Sequence, residues 1–124
     1  MTIQRQSLGR WGEEQAVRFL CARRWKILER NVRTPVGELD IVARDGRTLV
    51  FIEVKTRRTA AFGAPQEAVG ARKQRQIVRA AQWFLARAGN PSESLRFDVI
   101  AVMPAADGAR IEHLPAAFGL DGAV

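Results

Sequence analysis

Two segments carry apolar residues at the spacing of an amphipathic helix. In the first, residues 8–24, the apolar stripe consists of Ala16, Val17, Phe19 and Leu20. Ser7 stands directly before this segment and predicts a helix N-cap. The second segment, residues 70–88, ends at Gly89-Asn90-Pro91, a sequence typical of helix termination. The pattern therefore predicts two helices, each packed by one apolar face.

Shorter runs of alternating apolar and polar residues predict strands. They cover residues 27–33, 38–44, 48–55 and 95–103, with a short fifth strand at 110–114. The order is helix, three strands, helix and one or two strands. It predicts an α/β protein with a mixed sheet of four to five strands flanked by helices. The 124 residues suit a single domain, and residues 115–124 are expected to be loosely ordered.

The charge of the chain narrows the choice of partners. A net charge of +7 and a pI near 11.2 favour a polyanionic partner, nucleic acid before membrane. General arginine usage is an alternative explanation. No apolar run is long enough to span a bilayer, and no secretory signal is visible, so we expect a cytoplasmic protein without a membrane partner. The single cysteine, Cys21, fits a reducing compartment and is expected to be buried.

The pair Asp45-Gly46 between the second and third strands is a strong hairpin signal. If these two residues form the turn, Glu38 faces Glu53 and Asp40 faces Phe51. Alternation then predicts one face of the hairpin as core, while the other face carries Glu38, Asp40, Glu53 and Lys55. Asp40 and Glu53 become diagonal neighbours, about 7 Å apart at the backbone.

Two carboxylates placed this closely destabilise a sheet unless a cation lies between them. Mg²⁺ (or Mn²⁺) needs only one or two carboxylates together with waters and phosphates, so Asp40 and Glu53 are candidate metal ligands. Lys55 lies on the same face as Glu53. Its ammonium could orient or deprotonate a water, or balance charge on a phosphate. The alternative is that Glu-Val-Lys is an exposed charged strand edge.

The runs Gly-Glu-Leu-Asp-Ile-Val (37–42) and Phe-Ile-Glu-Val-Lys-Thr-Arg (51–57) resemble the PD-(D/E)xK nuclease superfamily, which includes archaeal Holliday junction resolvases. The chain resembles more closely the YraN-like family of uncharacterised bacterial proteins. Further matching segments are residues 9–13, 30–33, 68–69 with Lys73, and 96–99. The resemblance implies a restriction-endonuclease-like core with Asp40 and Glu53 as metal ligands and Lys55 as the catalytic lysine. Leu39 stands where the superfamily signature has proline, a position that packs and does not react.

Three further residues have open roles. Glu13 occupies the position at which resolvase-like members place a helix-one glutamate at the metal, but an acid near a helix N-terminus also suits the helix dipole. Lys73 could reach the site or a phosphate, or could extend to solvent along its aliphatic stem. Asp98 lies in an apolar strand, where a structural hydrogen bond is the favoured role.

The basic residues suggest how nucleic acid would be held. The candidates for phosphate contacts are Arg57, Arg58, Arg72, Lys73, Arg75 and Arg79. Such contacts position nucleic acid without reading its sequence, and the alternative is a solvated helix face.

Three functions follow from these patterns. The first is a metal-dependent nuclease acting on branched or structured DNA, with DNA favoured over RNA. The second is a non-catalytic nucleic-acid-binding module, and the third is an adaptor that binds an acidic protein. Cutting both strands of a duplex needs two sites, so a homodimer is also expected.

Overall fold

The computed structural model describes residues 5–58, 69–89, 91 and 94–120. The elements are α1 (Arg5–Ala22), β1 (Lys26–Thr34), β2 (Gly37–Asp45), β3 (Thr48–Thr56), α2 (Ala71–Arg87), β4 (Ser94–Ala105) and β5 (Gly108–Phe118). The five strands form one sheet in the order β1-β2-β3-β4-β5. β3 and β4 run parallel, and every other neighbouring pair is antiparallel. This confirms the predicted mixed α/β fold.

Helices cover both faces of the sheet. The residues of the sheet that pack against α1 are Ile41, Ala43, Val50, Ile52, Ile100 and Val102. Those that pack against α2 are Leu39, Val42, Leu49, Phe51, Phe97 and Val99. The prediction that only one face of the β2–β3 hairpin is core is therefore wrong. Unbroken apolar runs such as residues 49–52 are typical of strands buried on both faces.

The register of the β2–β3 hairpin differs from the prediction by two residues. Asp45 pairs with Thr48, so the turn residues are Gly46 and Arg47. Gly46 has a φ of 59°, and glycine at the first central position suits a two-residue hairpin turn of the II′ type. The last pair of this register joins Ile41 to Ile52, so Asp40 and Glu53 are the next residues beyond the paired part of the hairpin.

Two predictions about residues of α1 need correction. Ser7 lies inside α1 and is not its N-cap, since the helix begins at Arg5. Cys21 is exposed, because it follows Leu20 by one helical step and points away from the stripe that Ala16 and Leu20 bury.

Residues 115–118 belong to β5, so the expectation of a loosely ordered tail is wrong over that range. Phe118 is buried and stacks on Phe97, with ring centroids 5.2 Å apart. Residues 119 and 120 follow the strand, and residues 121–124 of that expectation lie outside the described residues. Within the described part of the chain, neither helix is long and apolar enough to cross a membrane.

Candidate active site

Asp40 and Glu53 meet where β2 and β3 separate. The β2–β3 pairing ends at Ile41 and Ile52. Beyond that point, the Val54 N–H donates to Asp40 Oδ2 at 2.8 Å, so a side chain accepts from the β3 main chain. The Asp40 and Glu53 carboxyl groups share a hydrogen bond. The structure thus brings together the two carboxyl groups that the sequence placed on one face of the hairpin.

Burial and mutual repulsion govern the protonation of this pair. Glu53 is only 6% exposed. Desolvation, followed by the charge of Asp40, raises the pKa of Glu53 to about 8. Desolvation also raises the pKa of Asp40, opposed by the Val54 N–H and by the Glu53 hydrogen bond. At neutral pH the pair therefore holds one proton, which Glu53 donates to the Asp40 carboxylate.

Two lysines lie near the carboxyl pair. The charges of Lys73 and Lys55 lower the pKa of both Asp40 and Glu53, against the larger effect of burial. Lys55 comes from the end of β3 and Lys73 from the first turn of α2. Both are partly buried. The role of Lys73 at the site stays a prediction.

A cleft of about 970 Å³ opens beside the pair, between α1 and the end of β3. Its walls include Arg10, Glu13, Asp40, Lys55, Arg57 and Arg58. Asp40 is thus reachable from the cleft, while Glu53 is the more deeply buried partner. The volume is in the range of sites that hold a small ligand or part of a larger one.

Gly12 allows α1 to lie close to the end of β3. A Cβ on Gly12 would collide with the Thr56 side chain, so any other residue would push the helix outward. Thr56 follows Lys55 directly, and Glu13 follows Gly12. The contact therefore sets the distance between the α1 wall and the β3 wall of the cleft. Helix periodicity does not reveal such an approach.

Glu13 lies on the cleft wall but already has two donors. Its Oε1 accepts from Arg30 Nε at 3.2 Å and from Asn31 Nδ2 at 2.9 Å. Asn31 adopts a left-handed φ of 52°. Arg30 also contacts Glu14, with Nη2 3.2 Å from Oε2. Among residues 5–58, 69–89, 91 and 94–120, no three acidic, histidine or cysteine side chains group as a metal site. The role of Glu13 as a ligand stays a prediction.

Asp98 has the structural role expected for it. Its side chain is fully buried and accepts from Arg96 Nε (2.9 Å) and from the Ala116 N–H (3.0 Å), while His113 Nε2 lies 2.7 Å from Oδ2. Burial alone would raise the pKa of Asp98, but the hydrogen bonds from His113, Arg96 and Ala116 lower it overall. Asp98 therefore joins β4 to β5 and does not face the cleft.

The predicted phosphate-binding residues divide between two surfaces. Arg57 and Arg58 line the cleft. The other group, Arg72, Arg75 and Arg79, is exposed on α2, where the spacing of three and four residues places them in one row. In the described part of the chain, the side chains of these three residues form no ion pair or hydrogen bond. Arg10, on the opposite wall of the cleft from Arg57, was not predicted. Only the folded arrangement places it there.

Comparison with known proteins agrees with the motifs. The profile of the Uncharacterised protein family UPF0102 matches residues 12–102. The chain is 62% identical to a UPF0102 protein of Syntrophotalea carbinolica over 122 residues, covering 98% of this chain and 99% of that protein. It is 50% identical to a UPF0102 protein of Geobacter metallireducens over 120 residues, covering 97% and 98%. This chain therefore belongs to the UPF0102, or YraN-like, family.

Proposed function

We propose that this protein is a metal-dependent nuclease that hydrolyses phosphodiesters in DNA. The observation that carries the proposal is the hydrogen-bonded contact between the Asp40 and Glu53 carboxyl groups, flanked by Lys55 and Lys73 and open to a cleft on the Asp40 side. Two carboxyl groups held in contact under low solvent exposure are costly for a fold. Such a cost is typical of a functional site.

The donor set fits Mg²⁺ or Mn²⁺. These ions take oxygen ligands and need few from the protein. A divalent cation would replace the proton that the pair holds, with Asp40 and Glu53 as its ligands. The Val54 N–H fixes the orientation of Asp40, as the supporting hydrogen bonds around metal ligands generally do. When bound, the ion would polarise a phosphodiester and lower the pKa of a coordinated water.

Lys55 has the position and charge to act on the reacting phosphate. It lines the cleft together with Asp40, and its ammonium offers three donors. In this proposal it orients the attacking water and balances the negative charge that develops on the phosphate oxygens. Lys73 acts on the carboxyl pair through its charge. Glu13, held by Arg30 and Asn31, orients water at the far wall or completes the ligand set.

Nucleic acid is the substrate that the charges favour. Arg10, Arg57 and Arg58 line the cleft beside Asp40, and the row on α2 adds three further guanidinium groups. Such groups recognise phosphates and carry little sequence information. We therefore propose recognition of shape, as in branched or structured DNA. An exposed thiol at Cys21 suits action in the reducing cytoplasm.

A non-catalytic DNA-binding protein is the second candidate. The row of Arg72, Arg75 and Arg79 is exposed on α2 whether or not the carboxyl pair binds a metal. A protein that had lost cleavage would retain this surface. The first candidate is preferred because binding alone does not require two carboxyl groups in contact, one of them buried.

The test is cleavage of linear, flapped and four-way DNA in Mg²⁺ or Mn²⁺. Wild type is compared with Asp40→Asn and Glu53→Gln, which keep the side-chain shape but cannot provide a carboxylate to a cation. Glu29→Gln, an exposed site on β1, is the matched control. We expect wild type and the control to cut at least one substrate and the two site variants to bind without cutting. Cleavage by the Glu53→Gln variant would contradict the proposed mechanism. Binding of DNA by wild type without cleavage would favour the second candidate.

A further inference from the structure

β5 forms one edge of the sheet with a regular free side. Its pairing with β4 runs without a register shift from Gly108, opposite Ala105, to Leu114, opposite Val99. No described strand pairs with the other side of β5. A straight edge of this length presents main-chain donors and acceptors that can pair with a further strand.

The opposite edge of the sheet is protected against such pairing. In β1 the register shifts between Ile27 and Glu29, and Asn31 has a left-handed φ. Bulges and left-handed residues bend an edge strand and interrupt its hydrogen-bonding pattern. Within residues 108–114 of β5, the only residue with a positive φ is Gly108, the first residue of the strand, at 126°. The next left-handed residue is Ala116, beyond that segment.

The charges on this edge are self-complementary. Arg110 and Glu112 are two residues apart and therefore point to the same face of β5. Both are exposed, and neither side chain has an ion pair or hydrogen bond within the part of the chain that the structure describes. If two β5 strands pair antiparallel about a two-fold axis at Ile111, Arg110 of each copy lies directly opposite Glu112 of the other. A shift of one residue in either direction loses both pairs.

We propose that this edge is a homodimer interface, in which two copies join β5 to β5 about Ile111 and form one continuous ten-stranded sheet. Opposite charges facing each other across antiparallel strands stabilise the pairing. On the other face, Ile111 of each copy meets its symmetry mate. Ile111 is partly buried and already packs toward the α1 side of the sheet, so the apolar face continues across the interface.

The pairing has a consequence for the candidate active sites, which rests on the proposed function. A two-fold axis perpendicular to the sheet places both α1 helices, and hence both clefts, on the same side. The two β3 strands lie five interstrand spacings apart, about 24 Å across the sheet. The dimer would therefore present two sites to one nucleic acid, as cutting two strands requires.

Charge exchange tests the interface directly. In R110E both facing pairs become acidic, and in E112R both become basic. We expect sedimentation velocity to show a dimer for wild type and a monomer for each single variant. The double variant R110E/E112R restores opposite charges and should be a dimer again. R33E, an exposed change on the β1 edge, should leave the dimer intact, and circular dichroism confirms folding in each case.

Mixing provides the sharpest result. R110E carries two acidic residues at the facing positions and E112R carries two basic residues, so both facing pairs have opposite charges only when the two variants meet. An equimolar mixture should therefore form a heterodimer although each variant alone is monomeric. The proposal is overturned if wild type is monomeric at all concentrations, if the single variants still dimerise, or if the mixture stays monomeric. Because these measurements do not involve cleavage, loss of nuclease activity would not affect the outcome.

Discussion

Glu53 donates a hydrogen bond to Asp40 at the point where β2 and β3 separate, and the Val54 N–H donates to the same Asp40 carboxylate. Two adjacent strands thus end their pairing in a carboxyl pair in place of a main-chain hydrogen bond. Without a cation, a proton keeps the two groups together. This exchange between proton and cation leads to the first two predictions.

The metal-free protein should lose stability as the pH rises. Glu53 has a folded-state pKa of about 8, raised from 4.5 by burial and by Asp40. The stabilisation that this raised pKa gives to the folded state is therefore fully present below about pH 4.5, and it is lost as the pH rises through about 8. A tenfold change in proton affinity is worth about 1.4 kcal/mol, so the loss should reach a few kcal/mol. Urea unfolding in EDTA, from about pH 5 to about pH 9, measures it.

Glu53→Gln is the control for this pH dependence, because glutamine keeps the hydrogen bond and does not ionise. The variant should show a flatter profile than wild type over the same range. Acidic groups such as Asp98, whose pKa is lowered by His113 and Arg96 against the effect of burial, contribute the opposite slope at low pH in both proteins. Identical profiles for wild type and variant would mean that Glu53 ionises normally.

Mg²⁺ should stabilise the protein, and more strongly at higher pH. A ligand that binds only the folded state adds about 2.7 kcal/mol at a concentration 100 times its dissociation constant. Binding at Asp40 and Glu53 displaces their proton, so the gain in Tm should grow as the pH rises through about 8. Differential scanning calorimetry of wild type, Asp40→Asn and Glu29→Gln measures it. An equal gain in all three proteins would place the ion elsewhere.

Gly12→Ala should separate α1 from the end of β3. The added Cβ collides with the Thr56 side chain, and overpacking of this kind costs about 1–3 kcal/mol. Gly9→Ala is the matched control, since nothing lies within 4 Å of a Cβ there and alanine is the better helix former by about 1 kcal/mol. We expect Gly12→Ala to lower the free energy of unfolding and Gly9→Ala to raise it. Equal effects would mean that α1 does not press on Thr56.

Sequence patterns predicted the elements better than the contacts between them. The sequence correctly predicted that Asp40 and Glu53 share a face of the hairpin, but the predicted register of the two strands was displaced by two residues. A shift of two returns every side chain to the same face, so alternation cannot detect it, and the register is visible only in the pairing of Asp45 with Thr48. The two-sided core was readable in principle from the unbroken apolar run at residues 49–52.

Contacts between residues far apart in the sequence were not predictable from such local patterns. Glu13 is held by Arg30 and Asn31, 17 and 18 positions away, and no local pattern signals that arrangement. β5 extends to Phe118 although Pro115 and its small neighbours have weak strand propensity. Its end is held by partners on β4, since Ala116 donates to Asp98 and Phe118 stacks on Phe97.

Neutralising the row of arginines on α2 should weaken DNA binding in a salt-dependent manner. Each phosphate contact contributes about 0.9 to the slope of log affinity against log salt concentration on duplex DNA. The triple variant Arg72→Gln, Arg75→Gln, Arg79→Gln should therefore lower that slope by up to about 2.7. Fluorescence anisotropy in EDTA, with uncut flapped DNA across a salt series, measures the slope without cleavage.

The matched control removes the same charge from other exposed sites. Arg18→Gln, Arg33→Gln and Arg47→Gln change three exposed arginines outside α2, so the net charge falls equally. If α2 contacts the phosphates, only the first variant shows the full decrease of about 2.7 in the slope, since general attraction depends on net charge and local contacts do not. Equal decreases of the slope in both variants would mean that the row on α2 contributes only through the overall charge. The cleft residues Arg10, Arg57 and Arg58 would then remain as the binding surface.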